Sequence, residues 1–214
     1  VLVSFSLPAF LTTMMAGPVY WGCSALLANQ PDGYNELGIF NAANQWGAVA
    51  AFLPGLLTTA VLPVLSERFG AKDSAGNLRI MKGMMRLTAL VLIPLVIVLS
   101  LLSPLIMRGY GEAFEKGYLT LILTVAAVVP QAITTPCWLA IMASNRMWVC
   151  FVMNCGWSII LLVGTLCLIG FGATGVAGAR LIAFLIHGCW IYGFVVWYNG
   201  KSKSNNNFEK TRGP

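Results

Sequence analysis

Asn41, Asn44 and Gln45 are spaced i, i+3 and i+4 inside an otherwise apolar run, a spacing that sets all three on one face of a helix. An amide in hydrocarbon costs several kcal/mol when it finds no partner. That face must therefore meet either neighbouring helices, as hydrogen-bonding glue, or a water-filled cavity. A second polar face comes from Arg180 and His187, seven residues apart in another apolar run, which is about two helical turns. A guanidinium there either stretches along its alkyl stem to the headgroups or faces a cavity and pairs with phosphate or another anion. His187 is either a neutral hydrogen-bonding side chain or a titrating group that couples protons to transport. Gln131, Thr134 and Thr135 lie between Pro130 and Pro136, where their side chains can serve carbonyls that proline leaves without a donor.

The absences narrow the chemistry as much. Asp32, Glu36, Glu67, Asp73, Glu112, Glu115 and Glu209 all fall between apolar runs or at their ends. The chain carries no paired carboxylates for acid–base work, and no HExxH, GxSxG or Walker A pattern. The six cysteines, Cys23, Cys137, Cys150, Cys155, Cys167 and Cys189, form no CxxC pair and have no histidine cluster beside them. They read as reduced, buried, small apolar residues. The expectation is a protein that is not an enzyme and uses no metal and no cofactor.

The elements that must position these residues are membrane helices. Hydrophobic residues make up 58% of the 214 positions and charged residues 9%, against about 25% charged in soluble domains; mean hydropathy is +0.79. The apolar residues come in blocks of about 20, long enough to cross a hydrocarbon core as helices, without the dyad alternation of a β-barrel. Six spans are predicted, over about 4–28, 38–65, 84–107, 118–143, 147–169 and 175–198. Gly175, Ala179 and Ala183 at i, i+4 and i+8 predict close helix packing on the sixth. Trp148 and Trp197 lie near span ends and read as interfacial anchors. Trp46 and Trp157 lie deeper and suit either lipid-facing packing or a sugar-stacking surface.

The net charge of +6 is a topology signal and not a nucleic-acid footprint. Arg68, Lys72, Arg79, Lys82 and Arg86, then Arg146, then Lys201, Lys203, Lys210 and Arg212 all fall on one side when the spans alternate. Positive charge stays cytoplasmic, so both chain ends are expected on the cytoplasmic side of the membrane. Residues 200–214 read as a basic, disordered cytoplasmic tail. The chain begins at Val1 and runs straight into apolar sequence, which reads as the C-terminal piece of something longer.

Two stretches carry a family resemblance. Leu37-Gly38-Ile39-Phe40-Asn41-Ala42-Ala43-Asn44-Gln45-Trp46, continuing to Pro54 and to Leu62-Pro63-Val64-Leu65-Ser66-Glu67, resembles the G-x-[FY]-x-x-A-x-Q … P … [LF]-P-x-[LI]-S-[ER] segment of Wzx-type O-antigen and polysaccharide flippases. These belong to the multidrug/oligosaccharidyl-lipid/polysaccharide exporter superfamily. Phe171 to Arg180 is similar to the family's late G-x-x-G-x-A-x-A segment. The resemblance implies an all-α integral membrane fold in which these six spans are the C-terminal lobe of a twelve-helix, two-lobe exporter. The N-terminal six-helix lobe and membrane lipids are then partners, and the two lobes rock about a central cavity. The implied substrate is an undecaprenyl-diphosphate-linked oligosaccharide, an O-antigen or capsule repeat unit, moved from the cytoplasmic to the periplasmic leaflet. Arg180 would hold its charged head, with Asn41, Asn44, Gln45 and Gln131 toward the sugars and His187 a candidate for coupling.

Two other classes fit less well. A cation-coupled multidrug antiporter of the same superfamily would be expected to place acids in its membrane cavity, and the spans hold none. A membrane enzyme of surface-polysaccharide assembly would need catalytic polar residues in a sizeable loop, and no loop here exceeds about 20 residues.

Overall fold

The computed structural model describes the backbone of residues 6–70, 74–144 and 146–211, with side chains except Leu53, 57–78, Ala143, Asn199 and 201–211. Among the described residues the chain is all-helical, with no strand. Six helices follow in order: α1 (Leu7–Ala28), α2 (Gly33–Gly70), α3 (Ser74–Gly109), α4 (Tyr118–Ala143), α5 (Met147–Leu168) and α6 (Gly172–Thr211). Short 3-10 turns, Glu112–Gly117 and Ile169–Phe171, precede α4 and α6.

Local chemistry sets the breaks. Pro8 stands in the first turn of α1, where its missing N–H costs nothing. At the other end the Asn29 amide Nδ2 donates to Ala25 O at 2.7 Å, satisfying a carbonyl that the helix leaves open. The chain reverses through Asp32 at φ 59°, a left-handed position that Asp tolerates. Gly111 at φ 119° and Gly172 at φ 61° make the corresponding turns ahead of α4 and α6.

Turns alternate between two ends of the bundle. At one end, Glu36 Oε2 accepts from the Ala173 N–H at 2.6 Å, and the Thr120 and Thr174 hydroxyls are 2.9 Å apart. At the other, Arg146 lies 4.4 Å over the Tyr198 ring. The largest core joins α1, α2, α4, α5 and α6 through Leu27, Ala43, Leu121, Trp157, Leu161 and Ala179. The small-residue stripe on α6 behaves as expected, with Ala179 and Ala183 fully buried. A Cβ added to Gly164 of α5 would stand 3.2 Å from the Ala179 Cβ, so α5 and α6 approach closely. On α3, by contrast, Leu90, Leu101 and Leu105 stay outside the core.

Three expectations need correction. Among the described residues three segments, not six, are long and apolar enough to cross a membrane: Arg79–Gly109, Glu112–Met142 and Met147–Tyr198, the last running through both α5 and α6. Helix α1 is diluted by Thr12, Thr13, Gly17, Pro18, Tyr20 and Trp21, and the first half of α2 by Asn41, Asn44 and Gln45; much of the second half of α2 lies outside the described side chains. The basic loop expected over about 66–83 is instead helical up to Gly70 and again from Ser74, since polar residues mark the end of an apolar run without ending a helix. For the same reason α6 runs on through the expected disordered tail to Thr211. Gly200 is its only helix breaker after Gly193, and extending a helix already nucleated is easy.

Candidate functional site

Helices α1, α2, α4, α5 and α6 leave a cleft of about 320 Å³, whose polar lining is Tyr20, Cys23, Ser24, Asn44, Gln131 and Arg180. Gly47 keeps α2 close to α4 beside it, because a Cβ there would stand 3.1 Å from the Thr124 methyl. Arg180, from the third turn of α6, reaches across the bundle and donates to Asn44 Oδ1 at 2.7 Å. Its guanidinium carbon lies 5.1 Å over the Tyr20 ring and 5.9 Å from the centre of Phe184. Ring faces attract a cation, yet they carry no formal negative charge. Arg180 Nε is buried with no hydrogen-bond partner. Among the described residues the ion pair present is Arg108 with Glu115, at 3.9 Å on the surface, and none involves Arg180. A half-buried guanidinium is thus held by one neutral amide and two rings, which leaves its charge free for an anion.

The structure brings together Arg180, Asn44 and Gln131 and separates the rest of the amide face. Gln45 Oε1 accepts from the Tyr110 hydroxyl at 3.3 Å, and Asn41 is exposed and lines neither this cleft nor the next. The reason is helical geometry. At 3.6 residues per turn, consecutive residues such as Asn44 and Gln45 point about 100° apart; only one of them can face α6. Arg180 does not reach for headgroups, since its tip is tied to α2 inside the bundle.

A second cleft, of about 260 Å³, lies further along α6. Gln131, Thr134, Thr135, Trp138, Asn154, Phe184, His187 and Ile191 line it. Gln131 belongs to both clefts, so the two are neighbours along α4. His187 is 9% exposed, its Nε2 has no partner, and its ring centre is 6.3 Å from both Trp138 and Trp157. Trp157 is buried against Tyr20 and Phe184. It is therefore neither a lipid-facing residue nor an open stacking platform. The Thr134 hydroxyl donates to Pro130 O at 2.7 Å and that of Thr135 to Gln131 O at 3.1 Å. These are not the carbonyls of Ala126 and Ala132 that the prolines deprive of an i+4 donor, so the expected repair of the kink is not what the hydroxyls do.

Sequence reasoning missed Asn154, Tyr20 and Glu36. The Asn154 Nδ2 donates to Thr12 O at 3.3 Å, and the signal was available as a lone amide within the apolar run of α5. Tyr20 gave no signal, because an aromatic residue in an apolar helix has no reason to be singled out. All six cysteines are free, with Cys167 and Cys189 exposed and not buried as expected. Among the described residues no group of His, Cys, Asp or Glu could hold a metal.

The chain is 39% identical over 72 residues to the "EPS I polysaccharide export inner membrane protein EpsE" of Ralstonia solanacearum, a match covering 34% of this chain and 16% of that protein. A protein of the same name from Ralstonia nicotianae is 39% identical over 69 residues, covering 32% and 16%. This chain resembles inner-membrane polysaccharide-export proteins. The likeness spans about a third of the chain and about a sixth of each relative. No family model and no solved structure matches the chain.

Proposed function

We propose that this chain is the C-terminal, six-helix part of a flippase that moves polyprenyl-diphosphate-linked oligosaccharide from the cytoplasmic to the periplasmic leaflet of a bacterial inner membrane. The observation that carries the reading is Arg180: a guanidinium inside a helical bundle, without a carboxylate partner, opening on a cleft. Such a charge is costly until an anion joins it, and a diphosphate offers the geometry that arginine grips best. The polysaccharide-export names of the relatives favour an exopolysaccharide, capsule or O-antigen repeat unit over a drug as cargo. The absence of acids among the described lining residues of both clefts also weighs against a cation-coupled drug antiporter.

In this reading all six helices cross the membrane, including α1 and α2. Their polar residues include the lining of the first cleft, and a cavity-lining helix scores as less apolar for that reason. The basic end, with Arg146 and the end of α6, is cytoplasmic. A second, N-terminal lobe supplies the opposite wall of the cavity and further bases. No enzymatic step is assigned.

The reading is tested in the host by deleting the complete gene and measuring lipid-linked oligosaccharide and surface polysaccharide. The expected result is finished repeat units accumulating on the cytoplasmic leaflet with loss of surface polymer. Unchanged pools together with raised drug sensitivity would overturn it in favour of an antiporter. Repeat units that reach the periplasm unpolymerised would instead assign the protein to assembly.

A further inference from the structure

The second cleft has a different chemistry from the first, and the difference specifies a ligand. It contains no carboxylate and no permanent cation; its polar groups are the amides of Gln131 and Asn154, the hydroxyls of Thr134 and Thr135, and His187. Several of these have hydrogen-bonding capacity to spare. Asn154 uses Nδ2 on Thr12 O and leaves its Oδ1 without a partner among the described residues. The Thr134 and Thr135 hydroxyls spend their protons on backbone carbonyls, which leaves lone pairs as acceptors. The Gln131 amide makes no side-chain hydrogen bond among the described residues, and His187 Nε2 is buried and unpartnered. Beside them stand the rings of Trp138 and Phe184.

This is a set of neutral acceptors and donors against apolar ring surface. It suits a group that carries many hydroxyls on one side and C–H on the other. It does not suit an anion, which the first cleft serves better. A bare monovalent ion would find oxygen ligands, but the space is far too large for one. At about 30 Å³ per water, 260 Å³ holds roughly nine waters, which is the scale of a sugar ring.

Spacing relates the two clefts. Arg180 and His187 are seven residues apart on α6, about 10 Å along the axis at 1.5 Å per residue. Gln131 lines both clefts between them. We propose that the cleft of Gln131, Asn154, Trp138 and His187 is a sugar subsite, holding an uncharged residue of the same molecule whose anionic end meets Arg180. The assignment rests on the flippase reading above and deepens it. The first cleft reads the diphosphate common to all such lipids, and the second reads the sugar.

Binding to the purified complete gene product in nanodiscs tests this with two probes: polyprenyl diphosphate bearing the host's own oligosaccharide, and sugar-free polyprenyl diphosphate. Asn154→Leu should weaken the sugar-bearing probe about tenfold, the loss of one well-made hydrogen bond. The same variant should leave the sugar-free probe within about twofold, which also shows that it has folded. Asn154→Gln should recover part of the loss, whereas Arg180→Gln should weaken both probes. If Asn154→Leu binds both probes like the wild type, or weakens both equally, the subsite is wrong while the diphosphate site stands. If the wild type binds neither probe, the flippase reading itself fails and the subsite with it.

Discussion

The Arg180 guanidinium donates to Asn44 Oδ1 at 2.7 Å, tying α6 to α2 across the cleft without a compensating negative charge. Replacing that neutral amide by a carboxylate would neutralise the arginine from within. Asn44→Asp should therefore reduce export by the complete gene product at least about tenfold, since a charge-assisted pair forms inside the protein in place of the pair with substrate. Asn44→Ala removes one hydrogen bond but leaves the charge available, and should cost about threefold or less. Surface polysaccharide in a complemented deletion strain measures both. Asn44→Ala failing as badly as Asn44→Asp would mean that the amide positions the arginine and that its neutrality is beside the point.

Glu36 on α2 accepts the Ala173 N–H in the first turn of α6. A carboxylate at a helix N-terminus satisfies an orphan donor and complements the helix dipole. Glu36→Ala should lower stability by about 1 kcal/mol, with Glu36→Gln intermediate because it keeps the acceptor and loses the charge. Thermal unfolding of the solubilised protein reads the order wild type, Gln, Ala. Equal melting of all three would show that this contact does not hold α6.

Gly164 and Ala179 bring α5 and α6 together. Gly164→Val should destabilise by about 1–3 kcal/mol through overpacking, because a Cβ there already stands 3.2 Å from the Ala179 Cβ. Gly193→Ala is the matched control. A Cβ at Gly193 meets nothing within 4 Å, and alanine improves helix propensity by up to about 1 kcal/mol. The two variants should therefore move the melting temperature in opposite directions.

Much of this architecture was legible in the sequence. The helical class and the small-residue contact on α6 follow from apolar runs and from the spacing of small residues within them, whereas Arg180 and Asn44 read as two separate polar faces and only the structure shows them joined. What was not legible was three-dimensional. The triad of Asn41, Asn44 and Gln45 reads as one face, but about 100° separates successive residues, and only contact with α6 decides which one turns inward. Helix ends were misplaced at 66–83 and beyond 199 because hydropathy reports where apolar sequence stops, and a helix can continue past that point. The role of Glu36 depends on a turn at Gly172 that is far away in sequence.

Trp157 is 4% exposed, with Tyr20, Phe184 and His187 packed around its ring. Trp157→Ala should cost about 3–5 kcal/mol and loosen both clefts together, since Tyr20 and Phe184 flank Arg180 while Phe184 and His187 line the second cleft. Melting temperature and binding of sugar-free polyprenyl diphosphate should fall together. A stable variant with unchanged binding would show that the ring stack does not position the sites.

The most direct test of the central claim is translocation in proteoliposomes that contain the complete gene product and a labelled polyprenyl-diphosphate-linked oligosaccharide. Label should cross the bilayer with the wild type, at least about tenfold more slowly with Arg180→Gln, and at an intermediate rate with Arg180→Lys, which keeps the charge but loses the paired donors. Translocation by Arg180→Gln at the wild-type rate would contradict the claim that this arginine is the anion site.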